Sequence, residues 1–592
     1  MRLRLYSIIF AVLLFASCAN RGVGPQGGPK DSIPPVALQA EPELGVLNFH
    51  GKRIEITFNE YIQLDNLAAN LLMSPPQQNP PDVKARGKKL MVLFQDTLRD
   101  STTYTIDFGS AVCDFTEKNP LHGFTFYFST GDEIDTLETI GRVFDAENLN
   151  PLQGIFVGIH QDKADSAFTT QPFLRIARTD SAGFYRIGNM HAGEYRLYAV
   201  DDVSRDNRLT PGEALAFADE YIRPAVYTAH HNDTVDSLHE EPDLPISTLF
   251  LFKEKQQKLY LQRTLRDEQH RITLLFSSAP DSAVQLRVIN DTVPLNYHTH
   301  FSAHLDTVTL WLLDSASIMQ DSLFLEARYR RTDSLFRLEW YTDTLRAIWR
   351  APKLTAKAKE AKEREARNRR LTLKTNARKD FDINDTLRLS CTTPLAVIPQ
   401  DSFHLLQKKD TAWLPIPFTF APYDTLPMSL TLYADLKPEG QYELRIDSGA
   451  LQDVYGITHV AAKYPLTVKA LEDYSTLRVK ILPFDPQARI QVLSEKDEVL
   501  RELPAAPEGA FFQFLKPQSY YLRLYIDANG DGQWTTGEWS SKRQPEAVYY
   551  FPEKIQTKSN WDFEQEWNYN AVPQTQAKPN ELIKASASKK KK

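Results

Sequence analysis

The chain has 592 residues, a formal charge of −7, and a composition that is 42% hydrophobic and 11% aromatic. That length is more than one core can hold and that composition is ordinary for folded protein, so several domains are expected and a disordered chain is excluded. The net negative charge excludes a nucleic-acid reader, which needs a concentrated basic surface.

At the N-terminus, Arg2 and Arg4 precede an apolar run over residues 5–15, which meets Ala16, Ser17 and Cys18. The run is too short for a membrane span and has the flanks of a secretory signal, so residues 1–17 are read as a signal peptide. Small residues ending in a cysteine resemble the lipobox of bacterial lipoproteins, although Phe15 stands where that motif usually carries Leu. The resemblance implies acylation of Cys18, a membrane partner held through the lipid anchor, and an address in the bacterial cell envelope as an outer-membrane lipoprotein. Plain cleavage beside an incidental cysteine is the alternative. Residues 18–33, rich in Gly and Pro, read as a flexible tether. The other two cysteines, Cys113 and Cys391, fall in different predicted domains and are expected to be buried free thiols, with Cys391 on an inward strand position.

From residue 34 the chain shows short triplets at period two: Ile54, Ile56 and Phe58; Leu90, Val92 and Phe94; Tyr104, Ile106 and Phe108; Phe124, Phe126 and Phe128. Each triplet presents one apolar face between turn residues, the signal of an antiparallel sandwich. The stretches ITFNEYIQL (56–64), SPP (74–76), DTLRDSTTYTIDFGSAVCD (96–114) and FTFYFSTG (124–131) resemble the SbsA-type Ig-like domain of bacterial surface-layer proteins. That resemblance covers residues 34–132 and implies a fold and a cell-surface habit, not an activity.

Residues 138–228 carry Gly141 and Val143, the run from Thr179 to Tyr185, and Gly193 with Tyr195. They resemble the carboxypeptidase-regulatory, transthyretin-like domain, a small accessory β-sandwich with no catalytic residues to transfer. Residues 246–350 alternate again, punctuated by Asp-Thr and Asp-Ser pairs, and read as a third β-sandwich. Residues 353–371 place Glu360, Glu363 and Glu365 four residues ahead of Arg364, Arg367 and Arg369, the favourable order on a helix. With no apolar stripe beyond alanines, this reads as a charged helical spacer.

The first half then starts again. Leu436, Tyr442 and Leu444 answer Leu98, Tyr104 and Ile106, which makes residues 373–469 a second Ig-like domain. Residues 474–567 repeat the transthyretin-like unit, with Tyr520 and Leu522 answering Tyr195 and Leu197. The tail over 570–592, rich in Pro, Gln and Lys, is expected to be disordered. The expected fold class is therefore all-β: tandem β-sandwich domains, Ig-like and transthyretin-like, with one charged helical spacer.

Each transthyretin-like unit runs a strand into an acidic loop. Counting from Asp527, positions one, three and five are Asp527, Asn529 and Asp531, six is Gly532, and twelve is Glu538, the oxygen spacing of a twelve-residue calcium loop. Gln533 would lend its backbone carbonyl and Thr535 a water-mediated contact, and calcium is the cofactor this pattern implies. The alternative is a polar hairpin, since Asn529-Gly530 and Asp531-Gly532 are both turn signals. The earlier loop offers Asp202, Ser204, Asp206 and Glu213 for the same ion, with Asn207 at the glycine position. His298, His300 and His304 share one face if their segment is a strand, a spacing compatible with zinc.

The sequence has no G-x-S-x-G elbow, H-E-x-x-H, Walker loop or dinucleotide glycine pattern, so no enzyme is expected. The leading expectation is a non-enzymatic lipid-anchored envelope protein acting as scaffold, adhesin or assembly factor toward an envelope protein. A glycan-binding lipoprotein using Trp534 and Trp539 is the second reading, and a hydrolase with an unrecognised site the third.

Overall fold

The structure is a computed structural model that describes residues 31–226, 247–255, 258–289, 295–302, 304–333, 337–350, 364, 369–423 and 425–584. The signal peptide, Cys18, most of the tether and all of 353–368 apart from Arg364 lie outside the described residues. The regular structure of the described chain is nearly all strand, in sheets that are antiparallel apart from two parallel pairs and that pair into sandwiches. Backbone contacts divide it into two compact units, one holding the described residues of 31–145 and 150–252, the other those of 146–149 and 253–584.

In the first unit, one sandwich packs the sheet Ala37–Glu41, Arg53–Phe58, Lys89–Leu93, Asp82–Arg86 over Leu72–Ser74, Thr103–Asp107, Thr125–Ser129. Alternation puts Ile54, Ile56, Phe58, Leu90, Val92, Phe94, Tyr104, Ile106, Phe108, Phe126 and Phe128 into one core, with Phe124 partly buried against it. The second sandwich pairs a three-stranded sheet with the four-stranded sheet Arg175–Arg178, Phe156–His160, Arg196–Val200, Leu215–Phe217.

That three-stranded sheet corrects one sequence boundary. Strand Ser247–Leu251, placed by its sequence at the start of the third sandwich, instead lies parallel to Leu137–Asp145 and sends Leu249 and Leu251 into the second sandwich's core. Gly141 makes this possible: a Cβ there would sit 2.2 Å from the Ser247 carbonyl oxygen and 2.3 Å from the Tyr185 hydroxyl.

In the second unit, the third sandwich sets Leu261–Glu268, Arg271–Phe276, Thr307–Leu312, Tyr297–Phe301 against Gln285–Val288, Ser322–Thr332, Leu338–Ile348. The fourth packs two four-stranded sheets around Leu387, Leu389, Leu430, Leu432, Tyr442 and Leu444, and its core begins at Leu371. In the fifth, Asp562–Asn568 runs parallel to Ser475–Leu482, so both sandwiches that carry an acidic loop are closed by a late parallel strand. The tail also departs from expectation. Residues 571–584 pack onto the fifth sandwich, with Ala577 and Leu582 buried and the Gln574 side-chain amide donating to the Val548 carbonyl at 2.7 Å. Buried apolar side chains hold a segment whose average composition reads as disordered.

Cys113 is a buried free thiol in the short strand Val112–Asp114. Cys391 is free but only partly buried; it ends its strand and donates to the Thr393 carbonyl at 3.0 Å, and burial pushes its thiol up to about 12.

Candidate functional site

Both acidic loops leave the end of a central strand and turn on one carboxylate. After strand Arg196–Val200, Asp202 Oδ1 accepts the backbone N–H groups of Arg205 (2.6 Å) and Asp206 (3.2 Å), while Oδ2 accepts that of Asn207 (2.9 Å). After strand Ser519–Ile526, Asp527 Oδ1 accepts from Gly530 (2.8 Å) and Asp531 (3.1 Å), and Oδ2 from Gly532 (2.9 Å). The short acidic side chain satisfies backbone donors that a tight turn strands away from any ladder. The two loops share their strained positions as well: φ is +61° at Arg205 and +57° at Asn207, and +72° at both Gly530 and Gly532. Glycine adopts that conformation freely, so the second loop is the relaxed version of the first.

A second carboxylate closes each loop. Glu213 accepts the N–H of Ser204 (2.9 Å) and of Thr210 (3.0 Å), one on each oxygen. In the fifth sandwich the same bridge is made by Glu546, which accepts from Ala528 (2.9 Å) and Thr535 (2.8 Å). Glu538 does not take this place, contrary to the sequence spacing. Its carboxylate accepts from Ser541 Oγ at 2.6 Å and its backbone pairs with Arg543. The reason is an insertion. Glu213 stands two residues before strand Leu215–Phe217 and Glu546 two residues before strand Val548–Tyr550, so the chain between loop and strand is longer in the second copy. Aligning the two following strands, rather than the two loops, reveals Glu546 from sequence.

The electrostatics follow from this packing. Burial pushes the Glu546 carboxyl up, against the pull of the N–H groups it accepts, with the nearby Asp527 adding to the rise. The Gln533 N–H holds Asp531 below the usual carboxylate range. Burial raises Asp206, but hydrogen bonds from Arg208, Ser204 and Thr210 outweigh it and leave the group lowered.

Of the sequence-predicted ligands, Asp202, Ser204, Asp206 and Glu213 are brought together, linked through Thr210, as are Asp527, Asn529 and Asp531 with Thr535. Gln533 meets Asp531 only through its backbone N–H. The oxygens are largely spent on N–H and O–H donors, and among the described residues no group of three or more His, Cys, Asp or Glu is placed to hold a metal ion. The twelve-position calcium set, as spaced in the sequence, is therefore not assembled around Asp527.

The remaining candidates separate. His298 and His300 lie on strand Tyr297–Phe301, paired opposite Trp311 and Thr309, and form no metal cluster with His304 among the described residues. Trp534 and Trp539 are half-buried, with the Trp534 indole N–H donating to the Glu546 carbonyl at 2.9 Å, so Trp534 packs over the loop. An open groove lined by Tyr61, Ile62, Gln63, Leu64, Ala85, Gly87 and Phe115 presents apolar surface and no carboxylate, imidazole or thiol. No described helix is long and apolar enough to cross a membrane.

Within each unit, neighbouring sandwiches are joined by specific polar contacts. Arg175 of the second sandwich is buried, donating to the Thr103 carbonyl (2.8 Å) and to Asp135 (3.3 Å), while Thr105 meets Asn189 at 2.8 Å. In the second unit, the Tyr455 hydroxyl of the fourth sandwich donates to the Leu312 carbonyl of the third at 3.0 Å. At the junction of the fourth and fifth, Ile383 N–H donates to the Tyr474 hydroxyl (3.0 Å), and Asn384 Nδ2 to the Phe514 carbonyl (3.0 Å).

No curated protein matches this chain. Among solved structures, it is similar to the N-terminal part of the bacterial S-layer protein SbsC (15% identity over 32% of this chain and 46% of that one, TM-score 0.16). It is also similar to domains 1–6 of SbsC (10% identity, 89% of this chain and 67% of that one, TM-score 0.14). A third is BcpA, the major pilin subunit of Bacillus cereus (6% identity, 73% and 99%, TM-score 0.12). The chain spans less than half the length of the first of these. Its residues 31–130, the first sandwich, match the family described as bacterial Ig-like domain.

Proposed function

We propose that this chain is a non-enzymatic, lipid-anchored protein of the bacterial cell envelope that acts as a scaffold, adhesin or assembly factor, presenting the outer faces of its tandem sandwiches to a protein partner. The observation that carries the reading is the set of side-chain locks at the domain joints within each unit, with the buried Arg175 spanning Thr103 and Asp135 as the strongest. Arginine is costly to bury, and here its burial fixes one sandwich against the next, which a presenting array needs and a lone enzyme domain does not. The bacterial Ig-like match over residues 31–130 supports it further. The anchor follows from the lipobox-like Ala16, Ser17 and Cys18.

The test is expression in a bacterial host fed an alkyne-labelled fatty acid. The protein is expected to take up the label and to sediment with outer membranes, and Cys18→Ser to lose both. Label uptake by the Cys18→Ser variant, or a wild-type protein recovered unlabelled in the soluble fraction, overturns the anchor. Crosslinking on intact cells tests the scaffold: a defined protein neighbour is expected, and its absence overturns that role.

A further inference from the structure

The third sandwich carries a surface that none of the preceding readings uses. Strands Ser322–Thr332 and Leu338–Ile348 pair over their whole length. Their inward row, Leu323, Leu325, Ala327 and Tyr329 with Leu345 and Ala347, is core. By strand alternation the outward row is Phe324, Glu326, Arg328 and Arg330, facing Arg346, Thr344, Thr342 and Trp340 across the hairpin. The adjoining strand adds Gln285 and Arg287 opposite Arg328 and Glu326.

This row is unusual in what it leaves exposed. Trp340 is 51% and Phe324 46% accessible. The Arg328 guanidinium lies 5.1 Å from the Trp340 ring centre and that of Arg346 lies 5.7 Å from the Phe324 ring centre. Two other guanidinium groups have counter-charges: Arg287 pairs with Glu326 and Arg330 with Asp281, both at 2.8 Å. Among the described residues, no ion pair neutralises Arg328 or Arg346.

The face therefore offers two aromatic platforms and two guanidinium forks without an ion-pair partner among the described residues, on one fully paired hairpin. From Phe324 to Trp340 the row runs six residue steps, roughly 20 Å at about 3.3 Å per residue. Ring faces of this kind stack on the apolar face of a sugar ring, and a guanidinium fork binds a carboxylate through two parallel hydrogen bonds. A neutral glycan would satisfy the rings and leave both cations unmatched. A nucleic acid would demand a continuous basic surface, and here half of the arginines are already neutralised.

We propose that this outward face binds an acidic polysaccharide of the polyuronate class, with Trp340 and Phe324 as stacking platforms and Arg328 and Arg346 as carboxylate ligands. The site stands independently of the lipid anchor.

The test is binding of the full chain to immobilised polygalacturonate, with dextran as the neutral control and oligothymidylate as the alternative polyanion. Binding to polygalacturonate that weakens with salt is expected, with dextran and oligothymidylate held at least about tenfold more weakly. Trp340→Ala and the double change Arg328→Gln with Arg346→Gln are each expected to weaken it by about tenfold or more, while Arg328→Lys retains part of it. These side chains are exposed, so unchanged melting curves confirm that the variants fold. No polygalacturonate binding, equal retention of dextran or oligothymidylate, or unaltered affinity in the folded variants would each overturn the proposal.

Discussion

The Tyr104 hydroxyl accepts the backbone N–H of Arg99 at 2.7 Å, closing the corner that leads into strand Thr103–Asp107. Tyr442 makes the same bond to Lys437, also at 2.7 Å, in the fourth sandwich. The second and fifth sandwiches have their own version, in which Tyr195 donates to the His191 carbonyl (2.9 Å) and Tyr520 to the Lys516 carbonyl (2.8 Å). A buried phenol pinning a backbone group a few residues upstream fixes where a Greek-key corner turns. Tyr104→Phe is expected to cost about 1 kcal/mol and to speed hydrogen exchange at the Arg99 amide, leaving the fourth sandwich unchanged. Hydrogen-exchange mass spectrometry checks both parts, and an unaltered Arg99 amide would contradict the assignment.

The left-handed positions of the two acidic loops predict opposite signs. Gly532→Ala is expected to destabilise the fifth sandwich by about 1–2 kcal/mol from backbone strain alone, since only the Arg489 side chain, at 3.7 Å, lies near the added Cβ. Arg205→Gly relieves the same strain in the second sandwich and is expected to stabilise it by roughly 0.5 kcal/mol, the remainder being offset by the freedom glycine gains when unfolded. Denaturant titration of each variant measures the sign.

Glu546 and Glu538 separate the hydrogen-bonded hairpin from the sequence-spaced calcium loop. Glu546→Ala strands the N–H groups of Ala528 and Thr535 and is expected to cost about 2–3 kcal/mol, whereas Glu538→Ala stays within about 0.5 kcal/mol. In the twelve-position set Glu538 would be a ligand, but its carboxylate accepts from Ser541 Oγ instead. Glu538→Gln is therefore expected to leave the melting temperature unchanged with and without added calcium, and a calcium-dependent rise that vanishes in Glu538→Gln would restore the twelve-position set.

His160 gives the second sandwich a pH dependence. Its ring is buried beside Phe173 and Tyr198, at 5.3 and 5.9 Å, and its Nε2 has no hydrogen-bond partner. Burial lowers it to about 4, partly opposed by the Asp162 charge. In the unfolded chain a histidine takes up its proton near pH 6.5, so between 6.5 and 4 the unfolded state binds more protons and stability rises with pH. The full stability is present above about pH 6.5 and is reduced by at most about 3 kcal/mol below pH 4. His160→Leu is expected to flatten this slope, and melting curves from pH 4 to 7 read it directly.

Much of this molecule is written locally. The period-two triplets of the first sandwich name its inward face because a strand exposes alternate side chains to opposite sides, and the paired tyrosines mark the repeats because a corner needs its phenol at a fixed distance along the chain. The parallel strand Ser247–Leu251 is different. It follows the polar stretch 230–243, and nothing in its own residues says that it returns to Leu137–Asp145 rather than opening the next sandwich. Likewise Ala577 and Leu582 are ordinary residues in a polar tail until the surface that covers them is known.

The sequence by itself determined the all-β class, the duplicated sandwiches and the two acidic turns, because alternation and turn chemistry act between residues close along the chain. Only the tertiary structure decided that Glu546 rather than Glu538 closes the second loop and that strand Ser247–Leu251 completes the second sandwich. Those partners meet across loops of unequal length, and a register counted along the chain is lost wherever an insertion intervenes.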